Sequence, residues 1–444
     1  DNKMKNRFFK YVSQNILAMI GLSLYILADT YFISKAVGAN GITALNMALP
    51  VYGVIFALGQ MVGVGSAIRY SIVKEQYRNS NKDGSNECDK YFSGALFWGL
   101  VIGVIFAVLG LVFPDKIVEI MGGDETIVAI GVPYFRIFMS FSPFFIFNYT
   151  CNAFVRNDGN PSVSMAATLI SSLFNIVFDY ILMFPLGMGM PGAALATALS
   201  PVVGVMICMI HFLSKKNTVK FKWFKTSLTR LFHCCQVGMS AFVGEMSGAV
   251  IVMVFNFIIL RLTGNIGVAA YGVVANTALV AVAVFNGVAL GSQPLISESY
   301  GKHNIKDIKL IEKLGVATAL GLAVIIVMMI WGFTDTIVGV FNSQGSDRLL
   351  SLARVGLRIY FIGFLFAGIN IFCSSALSAI ASVKWAFVLS ILKGFVVVNV
   401  CAAILAPIFG MNGVWVAFPL SEFILLIISG FAMKKSIGAL ESER

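Results

Sequence analysis

The chain has 444 residues, 58% of them hydrophobic and only 12% charged, with a formal net charge of +11. A soluble domain carries about 25% charged residues. The composition therefore excludes a soluble enzyme and defines a polytopic membrane protein, in which a basic balance reports topology, not nucleic-acid binding. The seven cysteines contain no Cys-x-x-Cys, so neither a zinc site nor a disulfide framework is indicated. The histidines, His211, His233 and His303, fall at span ends or in loops and read as ordinary interfacial residues.

A spanning helix needs about 20 mostly apolar residues. Twelve such stretches follow one another, near 13–38, 43–73, 90–113, 126–152, 163–184, 191–214, 233–262, 266–297, 310–332, 350–377, 385–408 and 412–433. The first is too long for the apolar region of a signal peptide and contains Asp29, so it reads as a retained span. The connections alternate in character. One set is basic, including Lys74, Arg78, Lys82 and Lys90, the Lys215–Arg230 segment, and Lys302 to Lys313. The other set holds few bases, and 114–126 carries Asp115, Glu119, Asp124 and Glu125. By the positive-inside rule the basic set is cytoplasmic, which places both termini inside a plasma membrane.

The two halves repeat. Gly38-Ala39-Asn40-Gly41 returns as Gly264-Asn265-Ile266-Gly267, Gly65-Ser66 as Gly291-Ser292, and Asn148 with Cys151 as Asn370 with Cys373. Two six-span units entering from the same side are parallel repeats about an axis along the membrane normal. The expected fold is all-α: twelve transmembrane helices in two six-helix bundles around a central cavity. The expected divisions are an N-lobe over 1–214, a cytoplasmic linker over 215–232 and a C-lobe over 233–444.

The fifth span carries Asn175 and Asp179, one helical turn apart on one face. A carboxylate at membrane depth costs at least ~2.5–3.5 kcal/mol on insertion scales and marks a functional candidate. The alternative is a protonated packing residue. A second acid, Asp29, lies at similar depth in the first span and favours function.

Several motifs resemble those of the multidrug and toxic compound extrusion (MATE) family, over essentially the whole chain. They are Ala28-Asp29-Thr30 with Gly38, Asn157-Asp158-Gly159-Asn160-Pro161, Asn175-x-x-x-Asp179, and Gly287-x-x-x-Gly291-Ser292-Gln293-Pro294-Leu295-Ile296-Ser297. The resemblance is nearest to the DNA-damage-inducible branch. It implies an N-lobe cation site built from Asp29, Asn175, Asp179 and Thr197. The other branch of the family places acids in spans seven and ten. Glu245 matches the first, but span ten offers Asn370 and no acid, so no second cation site is expected.

Helical rise puts Asp29 ~13 Å, Asn175 ~15 Å, Asp179 ~9 Å and Thr197 ~9 Å from the outer ends of their spans. All four fall in the outer half of a ~30 Å core. Carboxylates, an amide oxygen and a hydroxyl are hard ligands that suit Na⁺ or a held proton, not a soft metal.

Other groups read less sharply. Glu245, Gln293, Asn148 and Asn370 are candidates for a substrate cavity. Glu245 alternatively forms a structural pair with Arg69, Arg136, Arg358 or Lys393, of which Arg69 and Lys393 can also snorkel to an interface.

Together these features imply a secondary antiporter that exports organic, often cationic or amphipathic, compounds in exchange for H⁺ or Na⁺. No cofactor is expected beyond the coupling ion. The expected partners are small organic substrates and membrane lipid, with no nucleic acid and no second chain, since one chain holds both halves. A flippase for lipid-linked precursors is the alternative within transport. A membrane enzyme would need His, Cys or acid groups clustered near one face, and none is visible.

Overall fold

The computed structural model describes residues 1–342 and 345–443, and every regular element among them is helical. In chain order the helices are α1 (Asn2–Ala36), α2 (Ala39–Asn79), α3 (Ser85–Val112), α4 (Pro114–Ile120), α5 (Glu125–Ser140) and α6 (Ser142–Asn157). Then come α7 (Pro161–Met183), α8 (Met190–Phe212), α9 (Leu228–Thr263), α10 (Asn265–Gly301), α11 (Ile305–Gly332) and α12 (Thr334–Phe341). The last five are α13 (Asp347–Tyr360), α14 (Phe364–Ala379), α15 (Val383–Ile391), α16 (Val397–Phe409) and α17 (Met411–Ser442). Each of the twelve expected spans falls on one of these helices or on a broken pair of them. Within the expected 333–349 connection, Ser343 and Gln344 lie outside the described residues.

Three spans are broken, each with a local cause or consequence. The α5–α6 pair bends by 45° at Phe141, where Pro143 opens α6 without a backbone N–H to donate. The corresponding break between α13 and α14 is a single 3-10 turn, Phe361–Gly363. Between α15 and α16 the chain widens into a π-turn over Leu392–Val396, which carries Lys393.

The helices form two compact units: Leu17–Glu245, and Asp1–Ile16 with Met246–Arg444. Relative to a division at 214/233, this one cuts the long helices α1 and α9 partway along. Glycines explain the cut. A Cβ on Gly291 would stand 2.7 Å from the backbone of Val12, so only glycine lets the start of α1 lie on α10. Gly65 and Gly238 play the same part where the start of α9 crosses α2. Gly65 and Gly291 are the repeat-related pair of the sequence.

Inside each unit the same pairings recur. In the first unit α2 packs on α3 and α6, α8 packs on α5 and α6, and α7 lies along α8. In the second, α10 packs on α11 and α14, α17 packs on α13 and α14, and α16 lies along α17. Left-handed glycines repeat too: Gly38 (φ +89°) and Gly264 (φ +72°) open α2 and α10, while Gly189 (φ +60°) and Gly410 (φ +67°) open α8 and α17. Only glycine adopts such backbone without strain.

Apolar residues remain on the outside. Leu100, Val104, Ile105 and Val108 on α3, and Leu320, Val324, Ile325 and Met328 on α11, are 43–68% exposed. Apolar faces this extensive on a monomer belong against another apolar phase, here the lipid.

Candidate ion-coupling site

The acids meet in the first unit because α1 and α7 lie side by side and run the same way. Gly21 abuts Leu169, and eleven residues further along both helices the Phe32 ring meets Tyr180 at 6.0 Å. Asp29 and Asp179 fall between those two contacts, just short of the Phe32–Tyr180 one. Their carboxyl groups are close enough to interact directly, although no hydrogen bond joins them.

The second half of the site is set by α7 against α8, which run in opposite directions. Ser200 Oγ donates to the Ser171 carbonyl at 2.9 Å, and Gly192 lets Leu182 approach closely. Asn175 lies one turn beyond Ser171, and Thr197 three residues before Ser200. At ~1.5 Å rise per residue the two side chains stand at the same level across the seam. Thus the structure brings Asp29 to Asp179 and sets Asn175 level with Thr197, on the one helix α7 that carries both Asn175 and Asp179.

All four are buried: Asp29 is 8% exposed, Asn175 1%, Asp179 0% and Thr197 5%. A buried polar atom is normally hydrogen-bonded. Yet Asp29 Oδ1, both Asp179 oxygens, both polar atoms of the Asn175 amide and Thr197 Oγ1 have no hydrogen-bond partner. No described Lys, Arg or His pairs with either acid. Phenols are the polar surroundings: Tyr25, Tyr52 and Tyr134 lie within electrostatic reach of Asp29, and the Tyr52 and Tyr134 hydroxyls are 3.3 Å apart. The five unsatisfied oxygens are a hard donor set. They fit a proton shared between the carboxyls, or Na⁺ held by Asp29, Asp179, Asn175 and Thr197.

The four cavity candidates are divided between the units, and each has its own contacts. Asn148 accepts from Asn152 Nδ2 at 2.8 Å and packs on Gly204. Glu245 is exposed on α9, within electrostatic reach of Tyr149. Gln293, in the second unit, donates to Ser375 Oγ at 3.1 Å. Asn370, also there, is fully buried and donates Nδ2 to Glu422 Oε2 at 2.7 Å while accepting from Ser429 Oγ at 2.9 Å.

These contacts add one acid that the sequence reading passed over and correct one expectation. The acid opposite Asn370 exists, but it comes from α17: Glu422 is 3% exposed, and Lys393 on the π-turn lies within its electrostatic reach. Its signal was present, since Glu422 interrupts an apolar run as Asp29 does. His211 is not interfacial. It is fully buried, with Nε2 2.8 Å from Asp158 Oδ2 and Nδ1 3.1 Å from Asn160.

Asp158 is the hub of that end of the unit. It accepts from Tyr70 at 2.9 Å, from the Thr218 backbone at 2.9 Å, from Lys74 at 3.3 Å and from the Thr218 hydroxyl. Burial opposes its charge, but the hydrogen bonds from His211 and Thr218 and the nearby Lys74 outweigh it and hold the carboxyl below its usual range.

An all-helical, multi-pass chain built from two related units, with a buried acid pair that no base neutralises, defines a membrane transporter. The sequence model of the MatE family matches residues 15–181 and 241–408, and the chain belongs to that family, whose members are transporters and not enzymes. It is similar to the multidrug export protein MepA of Staphylococcus aureus (strain bovine RF122 / ET3-1), with 27% identity over 91% of this chain and 88% of the relative. It is similar also to MepA of Staphylococcus saprophyticus, with 24% identity over 88% and 85%. Among solved structures, an outward-facing multidrug resistance MATE family transporter of the MOP superfamily superposes with a TM-score of 0.92 at 22% identity, covering 99% of this chain and 97% of that one. A MOP superfamily transporter from Pyrococcus furiosus, described as having a binding pocket of reversed polarity, superposes with a TM-score of 0.89 at 21% identity over the same shares.

Proposed function

We infer that the chain is a multidrug exporter: a secondary antiporter that moves small organic compounds out of the cell as H⁺ or Na⁺ flows inward through Asp29 and Asp179. The observation that carries this reading is the contact between two buried carboxyls with unsatisfied oxygens and no base. Two such groups cannot both stay charged in a poorly hydrated place without a proton or a cation between them. Loading and release therefore switch the local charge, and that switch acts on the packing of α1, α7 and α8. Asn175 and Thr197 supply neutral oxygens when Na⁺ replaces the proton. The relatedness to the MepA proteins supports organic substrates, and the alternating basic connections support cytoplasmic termini. The acidic 114–126 connection then faces outward, and the site lies nearer that side.

Transport of a fluorescent organic cation into everted vesicles or proteoliposomes, under separately imposed proton and sodium gradients, tests the reading. Uphill accumulation should follow one of the two gradients. Accumulation that only equilibrates, whatever gradient is imposed, means a passive path and contradicts it.

A further inference from the structure

The first unit contains a cavity of about 730 Å³ that the coupling acids do not line. It is a half-open cavity lined by α3, α6, the end of α8, the segment 213–227 and the first turns of α9. Its apolar lining is Leu96, Leu100, Phe147, Val205 and Met209, of which Leu100 and Met209 are also exposed on the lipid-facing side. Its rim is basic, with Lys90, Lys220, Lys222, Lys225 and Arg230, and no acid lines it among the described residues. Along α3 the distance from Lys90 to Leu100 is ~15 Å, so the cavity changes from charged to apolar over half a membrane leaflet-pair.

The rim is built, not loose. The segment 213–227 is strapped to the unit by its backbone: Thr218 N–H donates to Asp158, Lys220 N–H to Asp89 at 2.9 Å and Lys222 N–H to Ser93 at 2.9 Å. Two of the bases are balanced locally, Lys222 by Asp89 at 3.0 Å and Lys90 by Glu87 at 3.0 Å. Lys220, Lys225 and Arg230 have no acid within ion-pair distance among the described residues, which leaves the rim with an excess of positive charge. Trp223 is 87% exposed beside them, as an aromatic at a membrane–water boundary is.

A wholly basic rim repels the organic cations such exporters carry. A small soluble anion would leave the apolar depth unused. One chemistry uses both parts, and basic pockets between helices beside basic segments are where anionic headgroups settle. We propose that this cavity is a binding site for an anionic phospholipid, with its phosphate on Lys220, Lys225 and Arg230 and an acyl chain along α3, α6 and α8. The side of the membrane that supplies it is the one bearing the basic connections, which rests on the orientation given above. The binding itself does not rest on that orientation or on the transported substrate.

The test is native mass spectrometry of the full chain in detergent with phosphatidylglycerol or phosphatidylcholine added. One phosphatidylglycerol should be retained with at least ~10-fold preference, the effect of three surface bases on an anionic headgroup. Lys220→Gln/Lys225→Gln/Arg230→Gln should abolish the preference, and Val205→Trp should weaken retention of the bound lipid by filling the apolar part of the cavity. Millimolar glycerol phosphate should not displace the lipid. A measurement on the unaltered protein guards against misfolded variants: phosphatidylglycerol brominated in its acyl chains should quench tryptophan fluorescence more than brominated phosphatidylcholine, and Trp98→Phe, which removes the α3 tryptophan lining the cavity, should lose that difference. Equal binding of the two lipids, an unchanged preference in the triple variant, displacement by glycerol phosphate, or equal quenching each overturns the proposal.

Discussion

Asn370 on α14 donates Nδ2 to Glu422 Oε2 on α17 at 2.7 Å and to the Glu422 carbonyl at 3.0 Å, in a fully buried position. The contact gives each residue a structural task, clamping two helices of the second unit. Asn370→Ala leaves Glu422 without its donor and should cost about 1–3 kcal/mol. Thermal unfolding in detergent should register this as a lower Tm. Asn370→Leu with Glu422→Leu removes both partners and should recover most of the loss. Ion dependence of export should persist in any variant that folds. Loss of ion dependence at unchanged Tm would give Glu422 a coupling role.

Close helix approach at Gly291 leads to a second expectation. Its Cβ position lies 2.7 Å from the backbone of Val12, which cannot rotate away. Gly291→Ala should therefore destabilise by about 1–3 kcal/mol, the usual cost of overpacking. Gly94→Ala, where nothing lies within 4 Å, should be neutral or slightly stabilising. Parallel melting curves of the two variants check the contrast.

Asp158 predicts a pH dependence. Its folded-state carboxyl is held below the ordinary range, so its contribution is fully present above that range and is lost as pH falls through the folded value. The groups facing it are His211, Lys74 and Tyr70, with Thr218 from the strap. Proteolysis within 213–227 should be slow at neutral pH and accelerate in acid. Asp158→Asn should be cut rapidly at neutral pH and lose most of the acid dependence.

The neutral oxygens separate the two coupling ions. If Na⁺ is carried, Thr197→Ala and Asn175→Ala each remove a ligand and should raise the half-saturating Na⁺ concentration roughly tenfold, about 1.4 kcal/mol. If H⁺ is carried, the same changes should alter rates modestly and leave dependence on the proton gradient intact. Transport across a Na⁺ titration at fixed pH reads the difference.

Much of this arrangement was legible in the sequence. Apolar length alone located the spans, and the glycines of the repeat marked where long helices begin. Asp29 and Asp179 stood out because a carboxylate in an apolar run has few structural uses. Their contact was not legible, since it depends on Gly21 letting α1 lie parallel to α7, which no local pattern states. Glu422 was missed for a similar reason: its partner Asn370 is 52 residues away. His211 read as interfacial because its position near a helix end hides the turn of Asp158 folded beneath it. The strap at 213–227 has the composition of a linker, and its alternate backbone donors, with the Thr218 hydroxyl and Lys222, fix it in place.

Whether Asp29 and Asp179 act as one site is decided by gradient-driven export in Asp29→Asn, Asp179→Asn and the double variant. Each carboxamide keeps the shape and removes the switchable charge. Substrate binding at equilibrium, measured alongside, establishes that each protein is folded. Either single variant should bind substrate but fail to export it against a gradient, and the double variant should be little worse, because both residues serve one event. Near-normal uphill export by either single variant would contradict it and leave the pair as a packing contact between α1 and α7.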